Sequence, residues 1–139
     1  MSNQQIDSMN RIEEMTSRGM LHEELTGKIL EASFEVMREL GAGFLEGVYQ
    51  NALLIALRQK SIKAEARVGL LVRFRGEVVG EYYADLFVEG KVIVELKAVK
   101  ALAPEHLAQV INYLKATGIE VGLLINFGRP KLEYRRLHN

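Results

Sequence analysis

Residues 85–97 read DLFVEGKVIVELK. The segment contains two apolar runs joined by a turn, with Asp85 before the first run and Glu95 and Lys97 after the second. Each run has the length and the side-chain content typical of a β-strand. The run Val92-Ile93-Val94 is apolar on both faces, which predicts a central strand that is covered on both sides. Since side chains alternate along a strand, Glu95 and Lys97 share one face and Leu96 occupies the other.

The length of the turn determines whether the two acids of this segment meet. A two-residue turn at Glu89-Gly90 would turn Asp85 away from Glu95, whereas a three-residue turn with a bulge would set the two acids opposite each other. Glycine suits the left-handed position that the longer turn requires. We therefore predict the longer turn, with Asp85, Glu95 and Lys97 in one small patch.

Two carboxylates beside a lysine suit a hard divalent cation and phosphodiester hydrolysis. Mg²⁺ prefers oxygen ligands, and a metal held by Asp85 and Glu95 would lower the pKa of a bound water and neutralise charge on a phosphoryl oxygen. Lys97 could orient that water or stabilise negative charge in the transition state. The alternative is an ordinary strand-end aspartate and a solvated glutamate–lysine pair at a strand terminus.

The rest of the chain predicts one mixed sheet covered by helices. Apolar periodicity and turn residues predict helices over 22–40, 45–60 and 104–117 and strands over 64–74, 78–88, 91–97, 121–127 and 132–137. This order indicates an α/β (α+β) fold with an antiparallel meander followed by a parallel crossover. We expect a flexible N-terminal arm over residues 1–20 and a single domain over residues 21–139.

The composition excludes several classes of function. The 139 residues include no Cys, which excludes a disulfide framework, a thiolate zinc site and a cysteine nucleophile. Lys+Arg and Asp+Glu are both 18, so no global positive field attracts the chain to nucleic acid, and such binding needs a local arrangement of charge. The start lacks the features of a signal peptide, and no apolar run is long enough to span a membrane, so we expect a cytoplasmic protein.

The segment from Asp85 to Lys97 resembles the signature of the PD-(D/E)XK nuclease superfamily. The predicted order α-β-β-β-α-β resembles the restriction-endonuclease-like core of that superfamily, here with an extra N-terminal helix and a C-terminal edge strand. The resemblance implies that Asp85 and Glu95 are metal-binding acids and that Lys97 is the catalytic lysine. One departure is that Ala84, rather than proline, precedes the aspartate.

Two helical motifs extend this resemblance. The run from Gly43 through Glu46 to Tyr49 is similar to the motif of the GxxExxY family, and Gln109 with Tyr113 resembles the Q-x-x-x-Y motif of the exonuclease-like branch. The resemblance implies that Glu46 helps to hold the metal or its water and that the glutamine and tyrosine shape the site or contact the phosphate backbone. Capping of a helix N-terminus and a polar helix edge are the alternatives for these residues.

The implied activity is a Mg²⁺-dependent nuclease, with Mn²⁺ as a possible substitute and with DNA favoured over RNA. The alternatives are a non-catalytic interaction module with the nuclease fold and a metal-dependent hydrolase of another phosphate ester. A zero net charge argues against tight nonspecific binding by a monomer and fits a homodimer or a partner subunit. The candidate cations for a nucleic-acid contact, which could also protect an edge strand, are Lys97, Lys100, Arg129, Lys131, Arg135 and Arg136.

Overall fold

The computed structural model describes residues 22–139, so the predicted arm over residues 1–20 lies outside the described residues. The elements are α1 (Glu23–Leu40), α2 (Glu46–Gln59), β1 (Ala64–Phe74), β2 (Glu77–Val88), β3 (Val92–Lys97), α3 (Pro104–Thr117), β4 (Val121–Asn126) and β5 (Glu133–His138). Their order confirms the prediction, and the predicted ends lie within one residue of the observed ones. Within the described part of the chain, no helix is long and apolar enough to cross a membrane.

The five strands form one mixed sheet in the order β1-β2-β3-β4-β5. The first three strands pair as an antiparallel meander, β3 and β4 are parallel, and β4 and β5 are antiparallel. Helix α3 connects the two parallel strands. The predicted α/β (α+β) class, the meander and the parallel crossover are therefore confirmed.

Strand β3 is the centre of the sheet and is buried on both faces. Val92, Val94 and Leu96 belong to the hydrophobic cluster that includes α1 and α2. Ile93 belongs to a second cluster, formed with α3. Each buried side chain of this size stabilises the fold by about 1.5–3 kcal/mol relative to exposure. The alternation that buries Leu96 on the side of α1 and α2 directs Glu95 to the α3 side.

The turn between β2 and β3 has three residues, as predicted. The antiparallel ladder leaves residues 89–91 outside the pairing, and both Glu89 (φ 54°) and Gly90 (φ 64°) adopt left-handed conformations. Continuing the register of this ladder by one pair sets Asp85 opposite Glu95.

The loop after β3 is fixed to the β4–β5 edge by two polar side chains. Asn126 is fully buried, and its amide donates to Val99 O at 2.9 Å and accepts from the N–H groups of Val99 and Gly128, each at 3.0 Å. The carboxylate of Glu133 accepts from Leu102 N–H at 3.0 Å and from the asparagine amide at 3.1 Å. These bonds satisfy backbone groups of a loop that has no regular secondary structure of its own.

Replacing Gly128 with alanine should destabilise the protein by about 2 kcal/mol or more, because the added Cβ would overlap the backbone of Val99. The matched control is Gly27→Ala in α1, where an added Cβ meets no atom within 4 Å. This substitution should stabilise the helix by roughly 0.5–1 kcal/mol, because alanine favours a helix more than glycine does. Urea denaturation of both variants measures the two effects. Equal stability of Gly128→Ala and the unmodified protein would contradict this packing.

Candidate active site

Asp85 and Glu95 lie opposite each other at the end of the β2–β3 ladder. Beyond the last ladder pair, side-chain carboxylates replace backbone carbonyls as acceptors. Asp85 N–H donates to Glu95 Oε1 at 3.2 Å, and Leu96 N–H donates to Asp85 Oδ2 at 2.8 Å. Each acid is thus bound through one oxygen to the facing strand, and the predicted meeting of the two acids is observed.

Tyr82, which was not among the predicted site residues, links Glu95 to α3. The hydroxyl of Tyr82 donates to Glu95 Oε1, and its ring stacks on that of Tyr113 with centroids 3.5 Å apart and planes at 7°. The hydroxyl of Tyr113 lies 3.5 Å from Nε2 of Gln109. The predicted glutamine–tyrosine pair therefore reaches the acids indirectly, through Tyr82.

An irregularity in the β1–β2 hairpin allows Tyr82 and Asp85 to meet the same glutamate. Ala84 belongs to the cluster on the α3 side, whereas Leu86, two residues later, belongs to the other cluster. Across the hairpin, Arg67 has a φ of 53° and is missing from the ladder at the position facing Asp85. A positive φ at a residue other than glycine is uncommon in a strand, and here it coincides with the change of face.

Burial dominates the electrostatics of the acids. Burial is the main reason that the pKa of Glu95 rises to about 7, with a smaller contribution from the charge of Glu46 and with Asp85 N–H and the Lys97 ammonium acting in the opposite direction. Burial likewise raises the pKa of Asp85, opposed by its backbone hydrogen bond and two nearby cations. It also raises the pKa of Glu46, where the Asp85 charge adds to the effect and Lys97 opposes it. The charges of Glu46, Asp85, Glu95 and Lys97 are therefore electrostatically coupled.

Glu46 is the first residue of α2, and Tyr49 fixes the turn that leads to it. The buried Tyr49 hydroxyl donates to Gly41 O at 2.6 Å and accepts from Phe44 N–H at 3.2 Å. Its ring stacks on Phe127 with centroids 4.7 Å apart and planes at 13°. The tyrosine of the G-x-x-E-x-x-Y run is thus a structural residue that positions the start of the helix.

Lys97 ends β3 beside these acids. It pairs with Asn126 in the parallel register with β4, and its carbonyl accepts from Phe127 N–H at 2.8 Å. The backbone is therefore held on the β4 side, while the ammonium is close enough to lower the pKa of all three acids. An arrangement of this kind keeps a positive charge close to any anion that approaches the carboxylates.

The two strand acids fit a hard divalent cation, although the described residues contain no preformed cage. No group of three or more His, Asp or Glu side chains in residues 22–139 is arranged to hold a metal ion, so Glu46 does not complete a three-acid set. Asp85 Oδ1 and Glu95 Oε2 accept no hydrogen bond from that part of the chain, since the bonds to it use the other oxygens. Mg²⁺ is commonly bound through one or two carboxylates with several waters.

Comparison with known proteins bears on the family and the fold of the chain. The family model described as the PD-(D/E)XK nuclease superfamily matches residues 23–137. A solved structure titled "Crystal structure of SSO0001" is similar to this protein, with a TM-score of 0.54 and 20% sequence identity. The matched region covers 68% of the present chain and half (50%) of the SSO0001 chain. This likeness supports the predicted restriction-endonuclease-like fold. No curated protein matches the sequence.

The raised pKa of Glu95 makes stability depend on pH. Burial lifts this pKa from 4.5 to about 7, so between these values the folded protein holds a proton that the unfolded chain releases, and stability falls as pH rises. In metal-free buffer at about pH 8, Glu95→Gln should therefore be more stable than the unmodified protein by on the order of 2 kcal/mol. The difference should largely vanish at about pH 5.

Urea denaturation at the two pH values tests this expectation. Glu77→Gln, at the exposed start of β2, is the control and should leave stability nearly unchanged at both. A Glu95→Gln variant that is less stable than the unmodified protein at the higher pH would show that the glutamate charge is not buried at a cost.

Proposed function

The chain belongs to the PD-(D/E)XK nuclease superfamily, and from this we propose that it hydrolyses phosphodiester bonds of nucleic acid with a divalent metal ion held by Asp85 and Glu95. The observation that carries the proposal is the pairing of these acids, each bound to the opposite strand through one oxygen while the other oxygen remains available. We propose Mg²⁺ as the ion, with Mn²⁺ as a substitute, DNA as the favoured substrate, and GxxExxY membership within the superfamily.

The carboxylates and the ammonium have complementary roles in this proposal. When bound, the ion supplies a water of lowered pKa and neutralises charge on a phosphoryl oxygen. Asp85 and Glu95 keep their places without the ion because backbone N–H groups already hold one oxygen of each. Lys97 stabilises the negative charge that grows on the phosphoryl oxygens during attack.

Glu46 acts from the helix side. Its pKa is raised by burial and by the Asp85 charge, so its carboxyl is suited to accept or return a proton at the attacking water. We assign it this role at the water, because the described side chains do not form a three-acid metal site.

Gln109 and Tyr113 form the wall of the site on the side of α3. Tyr113 supports Tyr82 by stacking, and Tyr82 in turn donates to Glu95. Gln109 is exposed, so its amide can contact a phosphate of the bound strand.

Lys97→Ala and Asp85→Asn should separate catalysis from metal binding. Lys97→Ala should lower cleavage by about 10²-fold or more while thermal stabilisation by Mg²⁺ or Mn²⁺ persists, because both carboxylates remain. Asp85→Asn should lose both the cleavage and most of the metal-dependent stabilisation. Glu77→Gln, which makes the same charge change as Asp85→Asn, again serves as the control and should retain both. Cleavage of labelled single- and double-stranded DNA and RNA, with thermal unfolding at increasing metal concentration, measures the two properties.

Absence of cleavage of all four substrates by the unmodified protein, with either metal, would contradict the nuclease function. That result would favour the alternative, a nuclease-fold interaction module that acts with a protein or nucleic-acid partner. Cleavage that survives in Asp85→Asn would instead show that the hydrolytic centre lies elsewhere or belongs to a contaminant.

A further inference from the structure

A cationic groove of ≈ 470 Å³ opens at the turn between β4 and β5. It is lined by Arg129, Lys131, Leu132, Glu133, Tyr134 and Arg135. Three of these six residues are basic and one is acidic, in a chain whose basic and acidic residues balance at 18 each. The groove is thus a local excess of positive charge of the kind that a neutral protein needs for binding an anion.

The groove lies at the same end of the sheet as the acids. Lys97 and Asn126 are partners at the ends of the parallel strands β3 and β4, and Phe127 N–H donates to the lysine carbonyl at 2.8 Å. The turn between β4 and β5, which lines the groove, therefore begins directly beside Lys97. Arg135 pairs with Leu124, a member of the cluster on the α3 side, so it shares the sheet face of the acids.

The acid in the groove is turned inward. Glu133 accepts hydrogen bonds from Asn126 and Leu102, which hold its pKa below the usual range, and its side chain is only 17% exposed. Glu133 Oε2 lies 3.6 Å from Arg129 Nη1. Lys131 and Arg135 are exposed, and neither forms a salt bridge with a carboxylate of the described chain. Their charges are therefore available to an outside anion.

Lys100 connects this groove to the site. It is exposed and follows Val99, whose backbone is held by Asn126 on one side and packs against Gly128 on the other. Arg129 follows Gly128 directly. The two cations thus extend from neighbouring loop segments, and a basic series leads from Lys97 to the groove.

We propose that this groove binds the phosphodiester backbone of the nucleic-acid strand on one side of the bond presented to Asp85 and Glu95. The ligand class rests on the proposed function, which the groove extends by assigning a path to the strand. The cations would contact phosphates and position the strand without reading its sequence. Binding should therefore depend strongly on salt and little on base composition.

Charge reversal at the groove tests this proposal. The variant Lys131→Glu/Arg135→Glu is compared with Lys63→Glu/Lys91→Glu, which makes the same change in net charge at exposed positions at the opposite end of the sheet. The probes are a labelled 20-nucleotide DNA strand, its duplex and the RNA of the same sequence. Fluorescence anisotropy is measured in EDTA, so that no metal-dependent cleavage occurs, over a range of NaCl concentrations.

The groove variant should bind at least about 10-fold more weakly, with a log–log salt slope smaller by about two. The control should change the affinity by less than about 3-fold, because its charges act only at a distance. A neutral variant, Lys131→Gln/Arg135→Gln, should lie between the unmodified protein and the reversed variant. Thermal unfolding midpoints establish that all the variants are folded.

Equal weakening by both reversed variants would overturn the proposal, since bulk charge would then explain binding. Unchanged binding by a folded groove variant, or no binding by the unmodified protein, would also overturn it. The result of this binding experiment can be distinguished from the result of the cleavage experiment. Cleavage by the unmodified protein with groove-independent binding would refute the groove alone, whereas groove-dependent binding without cleavage would refute the nuclease function alone.

Discussion

The site depends on the register between β2 and β3, which the three-residue turn at residues 89–91 sets. Because side chains alternate along a strand, a shift of one residue would move Asp85 to the other face of the sheet. With the observed register, each acid accepts a backbone N–H from the other strand. The local backbone therefore places the two carboxylates together before any ion or substrate binds.

This placement has a cost in stability. Asp85 and Glu95 lie in strands whose buried side chains belong to two hydrophobic clusters, and burial raises the pKa values of Asp85, Glu95 and Glu46. Isolated charges in such surroundings are unfavourable unless they are paired or bind a cation. Lys97 offsets part of this cost, and a divalent ion would offset more. Conflict between burial and charge is expected at a functional site and is uncommon elsewhere in a fold.

Much of this architecture follows from local sequence pattern. Helix and strand periodicity predicted every element, the glycine in the turn predicted the register, and the spacing of Gln109 and Tyr113 placed both on one helix face. The contribution of Tyr82 could not be predicted from the sequence pattern, because strict alternation along a strand places Tyr82 on the opposite face from Asp85. The two residues share a face only because of the irregularity at Arg67, where β2 changes from one hydrophobic cluster to the other. Contacts between distant segments, such as those of Asn126 with the loop after β3, carry no local signal either.

The most direct test of the account is a crystal structure of the protein soaked with Mn²⁺, with the ion located by its anomalous scattering. We expect one strong peak bonded to Asp85 Oδ1 and Glu95 Oε2, the oxygens left available by the hydrogen bonds to the facing strand, with Glu46 reaching the ion through water. A fully occupied Mn²⁺ bound elsewhere, with no peak between these two carboxylates, would contradict it.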